Sequence, residues 1–451
     1  MKTASVSQFD KMTKTDILPL IVKLSIPTII SMLITNIYNL ADTAFVGKLG
    51  TSASGAVGIV FGYMSIIQAL GFMFGQGSGS IIARSLGEKD LAKARQTAST
   101  GFFGALLFGL SLSLLSAVFI DDFVMALGST ETIKPYAKTY IYFILAAAPL
   151  MTTSFILNNI LRYEGKAMLG MIGMLTGALL NIAGDPIFMF VFKMGIAGAG
   201  LSTALSQIVS FCILLSMFLR GKTTSRIALR YVTLKPVVIL NIMTTGFPSM
   251  LRQGLNSITT VMLNYYAAFY GDEAVAAMSI VARITFFVMS IALGIGQGFQ
   301  PVCGFNYGAG KFRRVRSAYK VTFALAESLL LVMVIIVLII SDGLIGTFRD
   351  DPAVIVIGTR ALRLQMLALL FLPICMITEM MFQSTGKRLG ASVLSSLRSG
   401  VFFIPSLMIL ANTRGLKGIQ EAQPLAFILG FIPSIIFMAW FFSKLPKEDK
   451  E

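Results

Sequence analysis

Residues 168–192 read MLGMIGMLTGALLNIAGDPIFMFVF, an apolar run broken by a single acid, Asp185, and the Pro186 that follows it. As a helix at 1.5 Å per residue the run is ~37 Å long, enough to cross a hydrocarbon core of ~30 Å. Lys166 and Lys193 stand just outside its two ends. Working outward, comparable runs fall near 24–46, 54–82, 98–119, 138–161, 198–219, 238–269, 274–304, 319–341, 358–383, 390–411 and 424–443. Counted with 168–192, they predict an all-α polytopic membrane protein of twelve transmembrane helices.

Composition agrees. The 451 residues are 55% hydrophobic and 13% charged, whereas soluble domains carry about 25% charged residues. A soluble fold of this length would leave more apolar surface than one core can bury. The net charge of +16 does not point to nucleic acid, which needs a solvated basic patch. Here the basic residues sit in short gaps between apolar runs. There is no histidine, and the three cysteines, Cys212, Cys303 and Cys375, lie inside apolar runs without metal-ligand spacing. The N-terminus, with Lys2, Lys11 and Lys14 among polar residues, does not read as a cleaved signal peptide.

The basic residues also predict orientation. About 25 of the 37 Lys and Arg fall on one side, including Arg84, Lys89, Arg162, Lys166, the loop 220–235 and the group Lys311–Lys320. The other side collects Asp121, Asp122, Asp272, Glu273, Asp342, Asp350 and Asp351. Both termini are therefore expected in the cytoplasm, with the chain in the plasma (inner) membrane.

Two halves repeat at an offset of about 221 residues. LSIPTII at 24–30 matches TGFPSML at 245–251, and GQGSGSIIARSLG at 75–87 matches GQGFQPVCGFNYG at 296–308. Six spans per half preserve orientation, so the repeats are expected to be parallel, in two six-helix lobes. The expected division is an N-terminal lobe 1–219, a cytoplasmic linker 220–236 and a C-terminal lobe 237–451.

Ionisable residues inside spans are costly, about 2.5–3.5 kcal/mol each at a helix centre. Asp42 lies 19 residues after Lys23, and Asp185 lies 19 after Lys166. Both thus sit ~28 Å above the basic ring, on different helices. Two carboxylates at one depth repel and favour a bound proton or a cation such as Na⁺, which prefers oxygen ligands. Asn181 is one turn from Asp185 on the same helix face. Thr203, in the outer part of its span, brings a hydroxyl to a matching depth. The alternative is that Asp185 caps a break at Pro186 and Asp42 ends its span at the interface.

In the second half, Glu379 and Arg398 have opposite charges at similar depth on adjacent spans, and a structural ion pair is the expectation. Arg252 and Arg283 lie well inside their spans. With Asn256 and Glu379 they are candidates for a substrate cavity, where the arginines favour an anionic group; the alternative pairs them with helix carbonyls, or Arg283 with Glu379. No catalytic constellation is present: GQGSGS lacks the Lys and Ser/Thr of a phosphate loop, and without histidine no Ser–His or Cys–His pair can form. The chain is not expected to be an enzyme or to need a cofactor.

The stretches SIPTIISMLITNIYNLADTAFVGKLG at 25–50, GFMFGQGSGSIIARSLGEKD at 71–90 and LLNIAGDPIFMF at 179–190 resemble the multidrug and toxin extrusion (MATE) transporters over nearly the whole chain. The resemblance implies two six-helix lobes that export organic, often cationic or amphipathic, small molecules by alternating access in antiport with Na⁺ or H⁺. It also implies a cation site in the N-terminal lobe, at Asp42, Asn181, Asp185 and Thr203, with Asn158 as a further amide. By depth Asn158 lies only ~12 Å up, eight residues from Lys166. Another branch of the family places carboxylates in the seventh span, where this chain has Arg252, Gln253 and Asn256, so a second cation site is not expected. The wider superfamily includes lipid-linked oligosaccharide flippases, and the arginines make export of lipid-linked or anionic metabolites the alternative. Apart from substrate and bilayer no partner is implied, and a monomer is the default.

Overall fold

The structure, a computed structural model, describes residues 2–449, with side chains described for 8–449. Among them there is no strand. The helices are α1 (Lys2–Lys14), α2 (Ile17–Gly47), α3 (Thr51–Gly87), α4 (Leu91–Val118), α5 (Ile120–Ala126), α6 (Lys134–Tyr163), α7 (Ala167–Pro186) and α8 (Ile196–Leu219). The second half continues with α9 (Pro236–Ala268), α10 (Asp272–Gly308), α11 (Phe312–Phe348), α12 (Pro352–Leu369), α13 (Leu372–Ser384), α14 (Arg388–Ser396), α15 (Phe403–Arg414) and α16 (Leu416–Lys444).

Eleven helical segments among the described residues are long and apolar enough to cross a membrane. The expected seventh span is present as α9, a single helix of 33 residues. Asn241, Arg252, Gln253 and Asn256 make it too polar to qualify by hydropathy. The chain is thus an all-α, polytopic membrane protein, with a helix at every position where the sequence predicts a span.

Three spans are not continuous α-helices. The run that opens the sequence reading is α7 followed by one π-helical turn, Ile187–Val191, closed by Phe192 N–H donating to the Ile187 carbonyl at 2.9 Å. Pro186 has no N–H to give, and the wider turn absorbs the defect. The expected run 358–383 is α12 and α13, parted at Leu370 and Phe371 just before Pro373. There the N–H of Phe371 donates to the Ala368 carbonyl at 3.1 Å, a tightened last turn. The eleventh span is α14 and α15 with a π-helical segment, Leu397–Phe402, between them.

The chain forms two compact units: residues 1–12 with 30–250, and residues 13–29 with 251–451. In the first, α6 is the hub, packed on α3, α4, α7 and α8. Glycines let these helices approach. A Cβ at Gly184 of α7 would lie 2.6 Å from Ser202 Oγ of α8, and one at Gly200 of α8 would lie 2.8 Å from ring atoms of Tyr140 and Phe143 of α6. The start of α9 belongs to this unit: Gly246 abuts the Met73 backbone, and Ser249 Oγ donates to Gln76 Oε1 at 2.7 Å.

In the second unit α10 packs on α11, α12 and α13, and α16 on α12, α13 and α15. The start of α2 belongs here, with Ile29 against Gly294 and Ser25 against Gly298. Each unit therefore takes in the opening segment of the other repeat's first helix, with the same α3 and α10 glycine motifs receiving it.

Candidate functional site

Four helices of the first unit bring polar side chains to one point. α2 carries Asp42 and, one turn earlier, Tyr38. α6 brings Tyr140, α7 brings Asn181 and Asp185, and α8 brings Ser202 and Thr203. The close contacts at Gly184 and Gly200 hold α6, α7 and α8 together beside this cluster. Asp185 is fully buried, Tyr140, Asn181 and Thr203 are buried, and Asp42 is half-buried.

The hydrogen bonds run in one direction. Asn181 Nδ2 donates to Asp185 Oδ1 at 3.2 Å and to Thr203 Oγ1 at 3.1 Å. The amide has only two hydrogens, so both are engaged. Tyr140 Oη donates to Asp42 Oδ2 at 3.3 Å and lies 3.1 Å from Thr203 Oγ1. With the tyrosine proton on Asp42, the hydroxyl of Thr203 must donate to Tyr140. Ser202 Oγ donates to the Asn181 carbonyl oxygen at 3.3 Å, fixing the helix that carries the amide.

Three oxygens remain. Asp42 Oδ1, Asp185 Oδ2 and Asn181 Oδ1 are buried and have no hydrogen-bond partner among the described residues. The Asp42 and Asp185 carboxyl groups belong to one cluster, linked through Tyr140, Thr203 and Asn181. Buried acceptors are almost always satisfied, and two facing carboxylates cannot both stand bare. The set calls for a positive charge from outside the chain: a proton bridging the carboxyls, or a hard cation held by oxygens. No group of three or more His, Cys, Asp or Glu gathers among the described residues, and two carboxylates with an amide suit a monovalent ion.

The structure thus gathers Asp42, Asn181, Asp185 and Thr203. It does not bring Asn158 to them. That amide faces Gly170, whose Cβ would collide with Asn158 Oδ1, and Gly170 lies three turns from Asn181 on α7, ~16 Å along the axis. Sequence reasoning missed Tyr140. Its depth carried the signal: it precedes Arg162 by 22 residues on a span of opposite direction, ~33 Å from the basic ring and close to the height of the acids.

The second unit differs from expectation in its charges. Glu379 Oε1 accepts from Arg252 Nη1 at 2.6 Å, not from Arg398 and not from Arg283. Span depth placed all of these within reach, but azimuth decides, and α9 turns Arg252 toward α13. Arg283 is exposed on α10 and forms no ion pair among the described residues. Asn256 accepts from Ser399 Oγ at 3.4 Å.

These features define a polytopic membrane protein with a buried cluster of two carboxylates, an amide and hydroxyl groups in its first unit. The MatE family profile matches residues 27–187 and again 248–409, one copy in each half of the repeat. The chain belongs to that family, the MATE transporters. It is 31% identical over 396 residues to the multidrug export protein MepA of Staphylococcus saprophyticus, covering 88% of this chain and 87% of the relative. The Staphylococcus aureus MepA is 30% identical over the same length, with 88% and 87% covered. Among solved structures, an outward-facing multidrug resistance MATE transporter of the MOP superfamily matches with a TM-score of 0.90 and 28% identity, covering 96% of this chain and 97% of that one. A MOP-superfamily transporter from Pyrococcus furiosus matches with a TM-score of 0.89 and 28% identity, covering 97% of both chains.

Proposed function

We propose that this protein exports organic, cationic or amphipathic compounds across the plasma membrane by alternating access, in exchange for Na⁺ or H⁺ entering at Asp42 and Asp185. The observation that carries this reading is the trio of buried oxygens that have no hydrogen-bond partner among the described residues. Relatives named for multidrug export support the direction and the cargo. Asn181 and Thr203 complete the ion site, and Tyr140 orients Asp42.

Coupling needs differential affinity: an ion can shift the transporter only by as much as it prefers one state. A cation neutralising the acid pair favours one arrangement of α2 against α6–α8, and cargo favours the other. The termini and the loop 220–236 lie in the cytoplasm under this reading, and the lobes 1–219 and 237–451 act as the alternating bodies.

The test is efflux of a fluorescent organic cation from cells expressing Asp42→Asn or Asp185→Asn. Each substitution deletes a charged ligand, a loss of about 2 kcal/mol or more, so efflux should fall at least about tenfold. Undiminished efflux in both variants, at equal membrane abundance, would remove the site. A second reading, movement of a lipid-linked or anionic metabolite, has one observation on its side: the buried Arg398 guanidinium, which forms no ion pair among the described residues.

A further inference from the structure

Two buried arginines and one buried acid share the interior of the second unit. Arg252 is 8% exposed, Arg398 6% and Glu379 2%. Arg252 takes Glu379 in the 2.6 Å pair described above. Arg398 is left with no hydrogen bond among the described residues: its Nη1 is fully buried and unsatisfied, the neighbouring Glu379 is bonded to Arg252 instead, and the ring of Phe427 lies 6.0 Å from the guanidinium carbon. Gly430 makes room for its stem, since a Cβ there would already touch Arg398 Cβ at 3.5 Å.

A guanidinium does not release its proton to escape burial. One carboxylate shared between two buried guanidinium groups leaves Arg398 without a bonded anion, which is disfavoured because a buried charge loses its hydration. A ring face replaces only part of that loss. The chain retains Arg398 all the same, on a π-helical turn, Leu397–Phe402, and such irregular turns recur at functional positions.

The neighbours are suited to an acidic ligand. Asn256 is one turn beyond Arg252 on the same face of α9. Its Oδ1 is engaged by Ser399 Oγ, so its amide nitrogen is the group left to donate. α9 and the π-helical turn are in packing contact, with Leu255 3.3 Å from where a Gly400 Cβ would be. A guanidinium and an amide nitrogen are thus left as donors on packed neighbouring elements, with one positive charge in excess over Glu379.

We infer that Arg398, with Arg252 and Asn256, forms a binding subsite for an acidic oxygen group, a carboxylate or a phosphate, carried by the transported molecule. This deepens the export reading and rests on it for the identity of the ligand as cargo: molecules that pair a cationic or aromatic body with an acidic group are taken in preference to the same body without one. Glu379 competes for the same arginines from within the chain.

The experiment is equilibrium binding of two fluorescent probes, a rhodamine with a free carboxylate and its methyl ester, to the purified full-length protein in phosphatidylcholine nanodiscs. No ion gradient is present, so the outcome is independent of coupling at Asp42 and Asp185. The wild type should bind the acid more tightly than the ester. Arg398→Gln should weaken the acid about tenfold and leave the ester unchanged, Arg398→Lys should keep part of the preference, and Glu379→Gln should tighten the acid. If Arg398→Gln does not fold, acetate titrated into the wild type should displace the acid probe and spare the ester. Nanodiscs containing phosphatidylglycerol separate the sources: loss of the preference there assigns the subsite to a lipid phosphate, and its persistence assigns it to cargo. Equal affinity of the wild type for acid and ester in phosphatidylcholine, or no displacement by acetate, overturns the subsite.

Discussion

Asn181 sets the character of the acid cluster because both amide hydrogens are engaged, one by Asp185 and one by Thr203. Its own carbonyl oxygen is left without a partner, like Asp42 Oδ1 and Asp185 Oδ2, and the chain of donors Thr203–Tyr140 ends on Asp42. Removing the phenol breaks the chain at its middle. Tyr140→Phe is expected to weaken ion dependence about 2- to 13-fold, the value of a single hydrogen bond of about 0.5–1.5 kcal/mol, while transport persists. The check is the Na⁺ or H⁺ concentration for half-maximal efflux; an unchanged value would exclude Tyr140 from the site. Because a proton and Na⁺ seek the same oxygens, Na⁺ binding measured by calorimetry should weaken as pH falls, and pH-independent Na⁺ binding would contradict the shared site. The acids were legible from the sequence because Lys23 and Lys166 serve as rulers of depth. Tyr140 was hidden in the apolar run YIYFILAAAPL at 140–150, where its ring reads as packing. The Arg252–Glu379 pair was misassigned to Arg398 because depth carries no azimuth.

At the scale of helices, small residues decide whether the cluster exists. Gly184 lets α7 meet α8 at Ser202, with Asp185 the next residue. Gly184→Leu places a branched side chain where even a Cβ would sit 2.6 Å from Ser202 Oγ. Overpacking of that kind costs about 1–3 kcal/mol, so a lower melting temperature in detergent and weaker ion dependence are expected together. A variant with wild-type values for both would show that the contact is not needed. The spans themselves were legible, since an apolar run of twenty residues has few other uses. What was not legible was their continuity. Pro373 breaks the expected tenth span two residues upstream of itself, and Pro186 widens the fifth into a π-helical turn, whereas Pro149 and Pro301 leave their helices unbroken. Neighbouring helices decide which proline is accommodated, and no single run of sequence records its neighbours.

At the scale of the molecule, the loop 220–236 is strapped to the first unit by a buried acid. Glu164 accepts from the N–H of Thr224 at 2.8 Å and of Ser225 at 2.6 Å, and from Lys166 Nζ at 3.0 Å. Ser99 adds bonds to the Arg226 carbonyl at 3.0 Å and from the Ala228 N–H at 3.2 Å. Glu164→Ala leaves the buried Ser225 N–H and the half-buried Thr224 N–H without this partner, about 1–3 kcal/mol for the buried one. Trypsin should then cut at Arg226 and Arg230 at least about tenfold faster than in the wild type; equal resistance would place the restraint elsewhere.

The proposed coupling turns on a positive charge entering the space between Asp42 and Asp185. Its most direct test is dye transport in proteoliposomes under an imposed Na⁺ or pH gradient. The wild type should drive a fluorescent organic cation against its own gradient when at least one of the two ions flows the other way. Asp42→Asn with Asp185→Asn should abolish that drive. Dye movement that ignores both gradients, or that survives in the double variant, would contradict it.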